Sequence, residues 1–160
     1  MSGWSVYPDI EKIKRAIEES GAGVNLDIAL SALRDALKPT RATPVQQLSS
    51  QSIPASGTKE FTISDANGYS AVVVTVRATY DASASAGVRV RWLYSADGIN
   101  FDSIEDAEAQ GNYEDLSFAA GVTRQKTILI PILQPHVKVQ VVNLDTSYAV
   151  TVDAWSTLMR

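Results

Sequence analysis

The spacing of apolar residues changes once along this chain, and that change constrains the fold more than any motif does. From Glu60 onward apolar side chains recur at every second position. In "YSAVVVTVRATY", Val72, Val74, Val76 and Tyr80 share one face. In "GVRVRWLYS", Val88, Val90, Trp92 and Tyr94 share one face, and Arg89 and Arg91 point the other way. Successive strand residues point to opposite sides, so this alternation marks strands buried on one face. "FTIS", "INFDSI", "TRQKTILIPIL", "HVKVQVVNL" and "SYAVTVDAWSTL" extend the pattern. About seven strands at this spacing predict an antiparallel two-sheet β-sandwich over residues 60–160, jelly-roll or immunoglobulin-like, with the strand order left open. Val72, Val74, Val76, Val88, Val90, Trp92, Ile128, Ile130, Val139, Val141, Val150 and Val152 are its inward candidates.

Before residue 60 the pattern differs. Residues 1–38 read as an N-terminal helical arm. Pro8 and Asp9 suit a first helical turn, and Ile10, Ile13 and Ile17 are spaced three then four. Gly21 to Gly23 stop that helix, and Asn25 or Asp27 caps a second. The second stripe is Leu26, Leu30, Leu33 and Leu37, and Pro39 ends it. Both are narrow seams of the coiled-coil kind. Residues 39–59 hold three prolines, no aromatic residue and many Ser, Thr and Gln. They read as an extended linker with a reach of about 60 Å.

Asp97 and Gly98, in "YSADGINFDS", admit two readings. As a hairpin turn they place Tyr94 and Phe101 on one face. As a calcium loop they fail, because glycine follows Asp97 directly and Ile99 stands where a ligand is needed. An irregular calcium site remains a second reading, since Asp102, Glu105, Asp106, Glu108, Glu114 and Asp115 follow closely. The hairpin and a solvated acidic loop are the expectation here. Residues 143–147, "NLDTS", are expected to turn a hairpin between the last two strands.

The composition narrows the chemistry. There is no cysteine and one histidine, His136. That excludes disulfides, zinc thiolates, a cysteine nucleophile and a two-histidine metal site within one chain. His136 lacks any recognisable nucleophile and reads as a surface residue at a strand start. The net charge of −4 is not that of a nucleic-acid binder. No stretch approaches the ~18 apolar residues of a membrane span, and the N-terminus lacks a signal-peptide core. The expectation is a protein made in the cytoplasm, without enzymatic activity, metal or cofactor.

Interaction surfaces are the remaining candidates. Arg89, Arg91 and Lys138 form a possible ligand or partner face, or else the wet side of a sheet with partners such as Asp153. Trp4 and Tyr7, with Ile10, Ile13, Ile17, Leu26, Leu30, Leu33 and Leu37, form the expected interface with other copies or another protein. Short helices are marginal without packing. Isoleucine at successive seam positions leans toward a trimer.

"VRVRWLYSADGINFDS" followed by "KTILIPILQPHVKVQVVNLDTSYAVTVDAWSTL" resembles β-sandwich structural proteins of tailed bacteriophages and related archaeal viruses. The resemblance spans about Val88 to Leu158 and brings no catalytic motif. It implies a virion protein, made in the host cytoplasm: a capsid decoration or cement protein, or else a neck or tail component. Its partners would be its own copies and a viral coat, neck or tail protein. The rival expectation is a carbohydrate-binding or other ligand-binding sandwich module.

Overall fold

The computed structural model describes Arg15, Glu19, Ser31 and Leu33, residues 41–64 and residues 66–160. The chain divides into two units, Met1–Pro39 and Thr40–Arg160. Of the arm's expected interface residues, Leu33 is helical and exposed. The expectations for Trp4, Tyr7, Ile10, Ile13, Ile17, Leu26, Leu30 and Leu37 lie outside the described residues, as do most of the two helices predicted within residues 1–38.

The second unit is a two-sheet antiparallel β-sandwich. In chain order its elements are β1 (Val45–Ile53), β2 (Thr58–Ile63), β3 (Ala71–Tyr80), β4 (Val88–Ser95), α1 (Ile104–Ala109), β5 (Tyr113–Asp115), β6 (Thr123–Pro131), β7 (His136–Asn143) and β8 (Val150–Met159). One sheet has the order β1-β8-β3-β6 and the other β2-β7-β4-β5. Apart from β4 to β5, every consecutive pair of strands changes sheet. All twelve inward candidates are buried, and they meet Ile53, Phe61, Val137 and Leu116 in one core cluster. Each fully buried aliphatic side chain contributes about 1.5–3 kcal/mol.

Four expectations need correction. Residues 39–59 are not a continuous linker, because β1 lies within them and pairs with β8. The strand escapes a period-two reading because it is bulged. Its register against β8 slips between Gln46 and Leu48, and again between Leu48 and Gln51. Each bulge adds a residue, so Leu48 and Ile53, an odd number apart, both face the core.

Asp97-Gly98 does not turn a hairpin, and "INFDSI" is not a strand. Asp97 Oδ1 accepts the backbone N–H groups of Ile99 and Asn100 at 2.9 and 2.8 Å, and Gly98 takes φ 73°. This is a local Asx turn built from the same residue types as a hairpin turn. The Asp102 carboxylate then takes the Tyr94 N–H at 3.0 Å, where a partner strand's carbonyl would stand. Ser103 caps α1, its hydroxyl accepting from Asp106 N at 3.1 Å.

Residues 143–147 are not a hairpin either, since β7 and β8 belong to different sheets. The crossing is held by Asn143 and Asp145, each 1 % exposed. Asn143 Nδ2 donates to the carbonyls of Ile53, Pro54 and Tyr148. Asp145 accepts from the backbone N–H groups of Ser85, Ala86, Ser147 and Tyr148.

Finally, Arg91 lies on the outer face as expected but is not wet. It is 8 % exposed, because α1 packs against β4 on that side. Leu93, on the same outer face, is 4 % exposed.

Candidate functional site

The outer face of the β2-β7-β4-β5 sheet brings together Arg89, Arg91 and Lys138. Strand register sets the arrangement. Glu60 on β2 pairs with Gln140 on β7, Gln140 with Arg91 on β4, and Arg91 with Tyr113 on β5. Side chains in that row stand side by side, a strand spacing apart.

Hydrogen bonds run along the row. Gln140 Nε2 donates to Glu60 Oε2 at 3.0 Å. Gln140 Oε1 accepts from Arg91 Nε and Nη2 at 3.0 and 2.8 Å. Arg91 Nη1 donates to Glu108 Oε1, on α1, at 2.8 Å. Arg89 grips Asp115 with both Nε, at 2.8 Å, and Nη2, at 3.1 Å. Its guanidinium also lies 4.1 Å from the centre of the Tyr113 ring. Lys138 Nζ sits 3.7 Å from Glu60 Oε1 and 4.2 Å from the centre of the Phe101 ring.

Three cations thus face three carboxylates on one surface. The paired fork of Arg89 and Asp115 has the expected electrostatic consequence. Its hydrogen bonds to Asp115 raise the Arg89 guanidinium above its usual range, and the same contact holds the Asp115 carboxyl below its own.

Of the acidic residues in the calcium reading, Asp102, Asp106, Glu108, Glu114 and Asp115 serve other partners. Asp102 holds the Tyr94 N–H, and Asp106 accepts from the Ser103 hydroxyl at 2.7 Å. Glu108 and Asp115 hold the arginines, and Glu114 lies 2.6 Å from Lys126. Asp97 accepts from Asn100, Ile99 and Ser95, which hold its carboxyl well below the usual carboxylate range. Among the described residues no three His, Asp or Glu side chains converge as metal ligands. His136 starts β7 opposite Ser95, and its ring lies so close to Gly98 that a β-carbon there would stand 3.2 Å from it. It serves as a floor for the Asx turn.

Asp153 partners Arg77 on the other sheet, at 2.9 Å, and not the Arg89/Arg91 face. It also accepts the Ser50 N–H at 2.8 Å.

Two features escape the sequence pattern. One is the buried pair Asn143 and Asp145. The other is an open pocket of about 210 Å³ between β1 and β2, lined by Val45, Gln47, Thr62, Ile63, Ser156 and Leu158 among others. An Asn-x-Asp in a loop is the only signal for the first. The second depends on a strand whose apolar pattern is broken.

No family model matches the chain, and no curated protein matches it. Among solved structures, it is similar to dimeric latent PorU from Porphyromonas gingivalis, with 17% identity and a TM-score of 0.44. That match covers 76% of this chain and 12% of the PorU chain. It is also similar to a family 35 carbohydrate-binding module from Clostridium thermocellum, with 7% identity and a TM-score of 0.37, over 73% of this chain and 90% of the module. Neither name is that of a bacteriophage structural protein, and at these scores neither likeness assigns a function.

Proposed function

We propose that this chain is a non-catalytic jelly-roll protein of a virus particle: a capsid decoration or cement protein, or else a neck or tail component. The strand order carries the reading. Sheets ordered β1-β8-β3-β6 and β2-β7-β4-β5 match the two interlocked Greek keys of a jelly roll, an architecture found in viral capsid and lectin domains. This is an argument from fold analogy. The pairing of Arg89, Arg91, Glu108 and Asp115 with one another supports a structural role, since groups locked in mutual hydrogen bonds make poor acids, bases or anion clamps. In this reading the seams of residues 1–38 join the sandwich to its own copies, with a trimer favoured, or to a coat, neck or tail protein.

The second reading is a carbohydrate-binding module, favoured by Tyr113 and Phe101 on the same face as Arg89 and Lys138. Two measurements separate the readings. Ile13→Asp with Leu30→Asp places charges in both seams, where burial without a partner is too costly. The variant is expected to keep a β-type circular dichroism spectrum and lose its oligomer and its binding to virus particles. Glycan binding by the unmodified chain, with no assembly and no particle binding, overturns the virion reading in favour of the module.

A further inference from the structure

We propose that β1 is an exchangeable strand: in assemblies of this protein, Val45–Ile53 of one copy lies on β8 of a neighbouring copy, in the register it has within one chain. The inference needs only copies of this chain and does not require a viral partner.

Four observations lead there. First, β1 is an edge strand whose ladder is made with β8 alone. Exchange reproduces that ladder between copies and sacrifices none of it. Second, little of β1 lies in the core. Only Leu48 and Ile53 of its nine residues are buried, and its first half borders the open pocket between it and β2. Third, the turn joining β1 to β2 is strained. Ser56 takes φ 54° without being glycine, a conformation that costs a side-chain-bearing residue energy. A short strained hinge favours exchange, because extending it releases the strain while the strand keeps its contacts. Fourth, simple addition of a strand to the outer edge of β1 is obstructed. Its two bulges, with Ser50 at φ 44°, break the row of backbone groups that an added strand needs. A neighbour can therefore replace β1 more readily than extend it. Exchange also carries residues 41–44 across to the neighbour, since they lead directly into β1.

The chain has no cysteine, so introduced thiols report without background. Ser52 and Thr151 face each other across the β1–β8 ladder and both are exposed. Ser52→Cys with Thr151→Cys, oxidised in the full-length protein at about millimolar concentration and run in denaturant without reductant, is expected to give covalent dimers and larger species. The two single variants, run in parallel, are expected to give far less. A double variant that oxidises only within single chains overturns the proposal. Ser56→Gly supplies a second readout that leaves β1 and β8 untouched. Glycine accepts φ 54° without strain, so this variant is expected to lower the oligomer fraction severalfold by light scattering. An unchanged fraction, or an unmodified chain that stays monomeric at every concentration, also overturns it. Covalent ladders without particle binding leave strand exchange standing and remove the virion reading.

Discussion

Lys126 Nζ lies 2.6 Å from Glu114 Oε2 and 3.0 Å from the Asp115 carbonyl, which ties β6, at the edge of one sheet, to β5, at the edge of the other. One flank of the sandwich is thus clasped. The opposite flank, where β1 and β2 run, is open and holds the pocket. Lys126 stands opposite Val76, on the inward face of β6, so its stem covers the core while its charge blunts a free edge.

The clasp is solvated, with Lys126 and Glu114 side chains 37% and 49% exposed. Lys126→Met, which keeps the apolar stem, is therefore expected to cost less than about 1 kcal/mol in urea unfolding, and still less at high salt. A loss above about 2 kcal/mol would mean that the ion pair itself closes the sandwich.

Asp145 behaves differently. The N–H groups of Ser85, Ser147 and Tyr148 hold its carboxyl well below the usual range. Asp97, Asp115 and Asp153 are lowered too, through the amides of Asn100 and Ile99, the Arg89 fork, and the Ser50 amide with Arg77. Lowered carboxylates bind protons less readily folded than unfolded. Their stabilisation is complete above the unfolded value of about 3.9 and is lost as pH falls through the folded values. Acid unfolding is expected to begin below about pH 4. Asp145→Asn places an amide donor among amide donors. It is expected to lower the melting midpoint at pH 7 by more than about 5 °C and to flatten the acid limb. An acid limb unchanged in this variant would show that Asp145 does not couple folding to protonation.

The legible parts of this fold were those where local pattern and tertiary role coincide. Val72, Val74 and Val76 alternate because β3 is flanked on both sides and its inner face is core. β1 was illegible because its bulges destroy the period that would reveal it. The Asx turn at Asp97 and the crossing at Asn143–Ser147 use the residues of hairpin turns. Only the destination of the following chain, set by distant packing, tells them apart. Alternation puts Arg89, Arg91 and Lys138 on one outer sheet face, where the strand register also has them. Its pairing with Glu108 depends on α1 folding back over β4, which no local spacing encodes.

Arg91 tests that face directly. Its side chain is 10% exposed and holds both Glu108 and Gln140. Arg91→Met removes these charge-assisted bonds, worth about 1.5–3 kcal/mol, while keeping an apolar stem beneath α1. Arg91→Lys keeps the charge but not the fork, so it is expected to fall between Met and the unmodified chain in chemical denaturation. If lysine matches arginine in stability, the two-pronged contact with Gln140 contributes nothing.

The last prediction concerns where the sandwich begins. A chain starting at Thr40 retains β1, and with it Leu48 and Ile53 in the core. It is expected to unfold cooperatively with a β-type spectrum, because Thr40–Arg160 is a compact unit by itself. A chain starting at Gly57 lacks both side chains, a loss of about 3–6 kcal/mol at the usual cost per buried side chain. It also bares the edge of β8, with Ala154 and Val152 behind it. Since small domains carry about 5–15 kcal/mol in all, this chain is expected to be marginal or aggregated. A synthetic peptide of residues 45–53 is then expected to restore its melting transition by filling the vacated edge. Equal stability of the two truncated chains would show that β1 contributes nothing to the folded sandwich, and would leave strand exchange without a driving contact.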